Sequence, residues 1–192
     1  MEEIILIGGG GHCKSVIDVI ELEGRFKIAG IVDKPEFLGS KILGYEVIGC
    51  DDNLPKLSKK YTYALITIGQ IESPNLRVEL FSIVKELGFV LPNIISPKAY
   101  ISRYASVDEG TVVMHDVLIN AKATIGNNCI INSKALIEHD SKISAHCHIS
   151  TSVTINGGVT VGSGCFIGSG TTTKESIVIK KNSFIKAGSL VT

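Results

Sequence analysis

ATIGNNCIINSKALIEHDSKI, residues 123–143, carries an isoleucine at positions 125, 131, 137 and 143, one every six residues. Followed outward in both directions, the phase holds from Ile95 to Val191. Of those seventeen positions sixteen are Ile or Val, with Thr173 the exception. A helix repeats at 3.6 residues and a strand at two, so neither accounts for a period of six sustained over this length. The pattern specifies a parallel β-helix of hexapeptide repeats, a three-faced prism with 18 residues per coil.

Two residues before each repeat position stands a mostly small or β-branched residue, among them Ala105, Thr111, Ala123, Cys129, Ala135, Cys147, Val153 and Cys165. Both columns are expected to point inward. Cys129, Cys147 and Cys165 are 18 residues apart and should stack at the inter-strand spacing of about 4.8 Å. A small apolar thiol fits that slot, so Cys147, although flanked by two histidines, reads as core filler and not as a nucleophile.

Residues 1–90 follow a different grammar. Ile4–Ile7 reads as a buried strand, Gly8–Gly11 as a tight turn and His12–Leu22 as an amphipathic helix. Phe26–Val32 and Tyr63–Ile68 read as further strands, Gly39–Leu54 as a loop-rich connection, and Pro74–Leu87 as a helix closing at Gly88. The expected fold is therefore an α/β domain over 1–90, with a small parallel Rossmann-like sheet, followed by the β-helix over 91–192. The repeat is still in phase at Val191 without a capping element, which suggests a fragment or an end covered in an oligomer.

The chain balances 19 basic against 19 acidic residues, so nothing in its charge points to nucleic acid or a membrane surface. Five cysteines without a Cys-x-x-Cys pair suggest reduced thiols and a cytoplasmic protein. The start Met1-Glu2-Glu3 lacks the basic region of a signal peptide, and no apolar run approaches a membrane span.

Gly8-x-Gly10-x-x-Cys13 lacks the third glycine of a dinucleotide fingerprint, which disfavours an NAD-dependent oxidoreductase. A glycine turn at a helix start still offers N–H groups to a phosphate, and Asp33, ending the second strand, is placed to accept hydrogen bonds from a ribose or base. His139 falls two places after the core position Ile137, so its ring should point outward. Gly157, 18 residues further on, should lie one rung above it. His148 is nine residues from His139, half a coil, so the two share a site only between subunits. His115 and His146 read as solvated surface residues. His139, His146 and His148 do not share a face, and no metal site is expected.

The segment Asn132 to Asp140, with Gly9-Gly10-Gly11-His12, Cys147-His148-Ile149-Ser150 and Asn156-Gly157, resembles the bacterial sugar acetyltransferases of the NeuD/PglD type, associated with sialic acid and amino-sugar pathways. The resemblance spans nearly the whole chain. It implies a left-handed prism, a homotrimer and acetyl-CoA as cosubstrate. It also implies that Gly10, His12, Asp33, Gly69, Arg77 and Asn132 contact a nucleotide-linked sugar, and that His148, Asn156 and Gly157 contact the cofactor.

Acetyl transfer from a thioester needs a base for the attacking group and donors for the oxyanion. His139 is the expected base, oriented by Asp140 or Glu138; relatives resembling the chain carry Glu at the place of Asp140. Gly157 N–H and His148 are expected to polarise the thioester. The expected activity is acetyl-CoA-dependent transfer to an amine or hydroxyl of a nucleotide-linked amino sugar or sialic acid. The alternative is a non-catalytic scaffold of a sugar-biosynthesis complex.

Overall fold

The computed structural model describes all 192 residues. Strand β1 (Glu2–Ile7) runs parallel to β2 (Phe26–Val32) and is an interior strand of the first sheet, buried on both sides along Ile4–Ile7. Helix α1 (Gly11–Glu23) buries Cys13, Val16, Ile17, Val19 and Ile20, and ends at Gly24, whose φ of 68° lets its N–H reach the Ile20 carbonyl at 3.0 Å.

The connection expected to be loop is a hairpin. Strand β3 (Lys41–Ile42) pairs antiparallel with β4 (Tyr45–Gly49) across Leu43 and Gly44, whose φ values of 48° and 91° are both positive. Such a two-residue turn matches the twist of the strands it joins. Leu-Gly lacks the Asn or Asp that usually announces it. After the one-turn helix α2 (Leu54–Leu57), strand β5 (Tyr63–Ile66) and helix α3 (Asn75–Glu86) complete the unit, giving the strand order β3-β4-β2-β1-β5.

Seventeen two-residue strands follow, from β6 (Ile94–Ile95) to β22 (Leu190–Val191), in three parallel sheets of six, five and six strands. Each strand stacks on the one 18 residues away, as in Ile131 on Ile149 and Ile149 on Ile167. The corners explain how the chain turns 120° so often. From Gly110 to Gly188 every sixth residue lies at φ between 51° and 71°. Left-handed backbone costs a non-glycine residue roughly 1–2 kcal/mol, and Gly, Asn or Asp fills nine of these fourteen corners. Thirteen of the fourteen corner N–H groups also bond the coil below, as Asp140 does to the Ala121 carbonyl at 3.1 Å. The result is a left-handed β-helix.

Inside it a cluster of 19 buried side chains combines both inward columns. Cys129, Cys147 and Cys165 stack as expected, wholly buried, and the Cys147 thiol donates to the Gly162 carbonyl at 3.1 Å. Hydrogen bonding to Cys129, with burial adding, pushes the Cys147 thiol up to about 12, which removes it as a nucleophile. A second cluster joins Ile94, Val112 and Met114 of the prism to α1, β1 and β2, so the two units share one continuous core.

Candidate active site

His139 leaves the corner after β13 (Leu136–Ile137), with its side chain 62% exposed. The following corner residue, Asp140, accepts a hydrogen bond from His139 Nδ1 at 2.8 Å. Since Nδ1 carries the proton, Nε2 presents a free lone pair. Of the two carboxylates expected to orient the ring, Asp140 is therefore the one that does so. Glu138 Oε2 is occupied by Asn120 Nδ2 at 2.8 Å and by His139 N–H at 3.2 Å.

Gly157 lies one rung on. A methyl group there would stand 2.9 Å from both Cε1 and Nε2 of His139, so only glycine leaves the ring in place. The Gly157 N–H makes no hydrogen bond within the fold, whereas Gly158 N–H bonds the His139 carbonyl at 2.9 Å. Asn156 is tied down, its Nδ2 donating to the Thr173 carbonyl at 2.6 Å. These residues open onto a cleft of about 740 Å³ that also takes in Glu175 and Ser176 and has no apolar lining residue.

His148 points elsewhere, from the sheet that faces the N-terminal unit. It is 8% exposed, lies edge-on to Phe166 at 5.2 Å, and its Nδ1 donates to the Gln70 main-chain carbonyl at 2.6 Å. Burial pushes its pKa down to about 4. A neutral ring whose Nδ1–H is given to Gln70 presents Nε2 as an acceptor. Asn132 Nδ2 lies 3.4 Å from that nitrogen. His12 is close by, next to Gly69, and burial followed by the Arg77 and His148 charges pushes it down to about 3. Its Nε2 is buried without a partner.

Arg77 is buried as well. It is 1% exposed, and its guanidinium donates to the carbonyls of Ile66 (3.2 Å), Ile68 (2.5 Å) and Asn128 (3.1 Å) and to Asn128 Oδ1 (2.7 Å). It is a strut between the units, and its Nε is buried without a partner. Neither His115 nor His146 is a free surface residue. His115 joins Asp18 and Ser96, each at 2.7 Å, and His146 packs on Phe81 and meets Asn128 at 3.0 Å.

The glycine turn and Asp33 border a second cavity, of about 540 Å³. Asp33 Oδ2 accepts from Gly9 N–H at 3.0 Å, and a methyl group on Gly9 would stand 2.5 Å from that oxygen. Gly10 caps α1 without any side-chain hydrogen bond, leaving N–H groups at the helix start.

The model of the PglD N-terminal domain family matches residues 3–82. PerB from Caulobacter crescentus, solved with CoA and GDP-perosamine, is 34% identical with a TM-score of 0.93, the match covering 100% of this chain and 89% of that one. The chain belongs to the PglD/NeuD-type sugar acetyltransferases. A histidine-to-asparagine variant of perosamine N-acetyltransferase from the same organism, with the same two ligands, matches at 33% identity, a TM-score of 0.93 and the same coverage. The acetyltransferase domain of PglB from Neisseria gonorrhoeae FA1090, bound to acetyl coenzyme A, is 26% identical with a TM-score of 0.92, over 100% of this chain and 91% of that one.

In this acetyltransferase the second cavity is also lined by Lys14, Phe37, Ser40, Lys41, Ile42 and Leu43, which sequence reasoning passed over. Lys41, Ile42 and Leu43 belong to the unforeseen hairpin, and Lys14 sits one turn into α1, where its spacing from Gly10 was a usable signal. No helix of the acetyltransferase is long and apolar enough to cross a membrane.

Proposed function

We propose that the chain transfers the acetyl group of acetyl-CoA to the amine of a nucleotide-linked amino sugar. One observation carries the reading: His139, its Nδ1 held by Asp140, directs Nε2 across the bare Cα of Gly157, beside an unpaired main-chain N–H. His139 Nε2 takes a proton from the attacking amine as nitrogen bonds to the thioester carbon. The tetrahedral oxyanion accepts from Gly157 N–H. Collapse breaks the C–S bond, and the thiolate takes the proton back from the imidazolium. Asn156, locked to the next rung, shapes the cofactor wall, and His148 and Asn132 accept and donate on the acceptor side.

The N-acetyltransferase activity of the 33%-identical relative supports an amine over a hydroxyl or sialic acid as acceptor. The glycine turn, His12, Gly69 and Asp33 suit a nucleotide sugar. His139 and His148 stand on different parts of the prism, which favours sites completed between copies of the chain. The outward column Tyr100 (63% exposed), Leu118 (37%) and Leu136 offers an apolar face for a homotrimer. Five unpaired cysteines suit the cytoplasm.

The test is release of CoA thiol from acetyl-CoA in the presence of nucleotide amino sugars and of sialic acids. Transfer to the amino sugars is expected, with His139→Ala slowed at least a hundredfold. Equal rates for wild type and variant would rule out His139 as base; acetylation of sialic acids alone would rule out the amine; no thiol release with any acceptor would favour the scaffold.

A further inference from the structure

Arg77 is the only Asp, Glu, Lys or Arg among the buried residues, and none of the chain's ion pairs includes it. Its donors go to main-chain carbonyls and to the amide oxygen of Asn128. Holding a charge out of water without an opposite charge is costly, so a group kept this way calls for a role beyond packing. Its bonds set the guanidinium against the turn that reaches two histidines. Arg77 holds the Ile68 carbonyl at 2.5 Å, Gly69 lies beside His12, and the Gln70 carbonyl takes the Nδ1–H of His148 at 2.6 Å. The titratable groups around Arg77 are His12 of α1 and Cys129, His146 and His148 of the prism. No carboxylate is among the charges that act on any of them. Burial above all, with the Arg77 charge adding, pushes the three rings down, so they present acceptor nitrogens and no positive charge.

We infer that Arg77 is a positioning residue whose unpaired charge makes the acceptor side take the sugar's amine in its neutral form. This role rests on the proposed transfer to an amine and accounts for a proton that His139 does not. An alkyl amine is mostly ammonium at neutral pH, and an ammonium has no lone pair with which to attack. Two protons must therefore leave the nitrogen, one before attack and one during it. The buried guanidinium repels the ammonium and tolerates the amine, whose N–H His148 Nε2 accepts. The first proton passes to water as the sugar binds, R–NH3+ giving R–NH2 and H+. His139 Nε2 takes the second as the nitrogen bonds to the thioester carbon.

Calorimetric titration with GDP-perosamine and UDP-glucosamine, in buffers of different ionisation enthalpy, counts the protons released on binding. At pH 7 the wild type is expected to release about one proton per amino sugar bound, and none with UDP-glucose, which carries a hydroxyl in place of the amine. Arg77→Lys keeps the charge and is expected to release as much as wild type. Arg77→Met is expected to release about half as much or less, with the acid limb of kcat moved to higher pH. Asn128→Asp combined with His146→Gln sets a carboxylate against the guanidinium at almost unchanged size. It is expected to lower the release in the same way, and it decides the matter if Arg77→Met does not fold. No release by wild type with the amino sugar it binds overturns the role. So does wild-type release in either folded charge-cancelling variant, or a loss in Arg77→Lys equal to that in Arg77→Met. If wild type binds neither amino sugar, the amine reading itself falls, an outcome distinct from loss of this role alone.

Discussion

Asp140 accepts the Nδ1 proton of His139 at 2.8 Å from a corner residue whose own φ is 58°. The left-handed backbone that turns the prism also swings this carboxylate back beside the ring that precedes it. Asp140→Asn keeps the shape but can offer an N–H to Nδ1, which favours the opposite tautomer. We expect kcat to fall about a hundredfold or more with KM little changed, and Glu138→Gln to cost less than tenfold. Steady-state kinetics of the two variants decide between the carboxylates, and a larger loss for Glu138→Gln would reverse the assignment.

Gly157→Ala places a methyl group 2.9 Å from the His139 ring without demanding an unusual backbone. The ring must tilt away from its working position. A kcat loss of about a hundredfold is expected with a melting temperature close to wild type. Wild-type kcat in a folded Gly157→Ala protein would show that the close approach has no catalytic role.

His12 and His148 are neutral in the folded chain, at about 3 and about 4, against 6.5 when unfolded. Below the unfolded value the denatured state binds the protons that the native state refuses. Stability is therefore full above about pH 6.5 and is lost as pH falls towards the folded values. For His148 the whole window amounts to about 3 kcal/mol. Urea titrations between pH 7 and pH 4.5 should show this slope, and His148→Gln should reduce it by about one proton. An unchanged slope in that variant would contradict the buried, neutral state.

Removing Arg77 leaves the carbonyls of Ile66, Ile68 and Asn128 without donors in the interior. Arg77→Met should destabilise by about 3–5 kcal/mol, and Arg77→Lys should recover little, because a single ammonium cannot reach both groups of acceptors. Chemical denaturation measures both. A mild effect of Arg77→Met combined with lost nucleotide-sugar affinity would return Arg77 to the binding site.

Among the cysteines only Cys50 is partly exposed; Cys13, Cys129, Cys147 and Cys165 are buried. An alkylating reagent should label one thiol per native chain and five after unfolding, with activity retained when Cys147 is replaced by Ala. Rapid native labelling of Cys147 with loss of turnover would revive it as a nucleophile.

The prism was legible because its period belongs to the backbone geometry and hardly depends on distant contacts. For the same reason arithmetic located Gly157 over His139: residues 18 apart must stack. What escaped were the contacts between units. His148 and Arg77 looked available because nothing in the spacing says which face the N-terminal sheet covers. A signal did exist in the outward column, where polar residues are expected: Ile94, Val112 and Ile130 are apolar and 18 apart. The hairpin at Lys41–Gly49 was hidden by a Leu-Gly turn and by a strand of two residues, too short to show alternation.

That shared core has a consequence for how the molecule can be taken apart. Ile94, Val112 and Met114 are filled in from the far side by α1, so a prism expressed without residues 1–90 would present them as a sticky strip along two successive coils. The isolated sheet would be left with the matching half. Change of grammar near residue 90 marks where two building plans meet, but the seam runs through the interior, and each half serves as the other's lid.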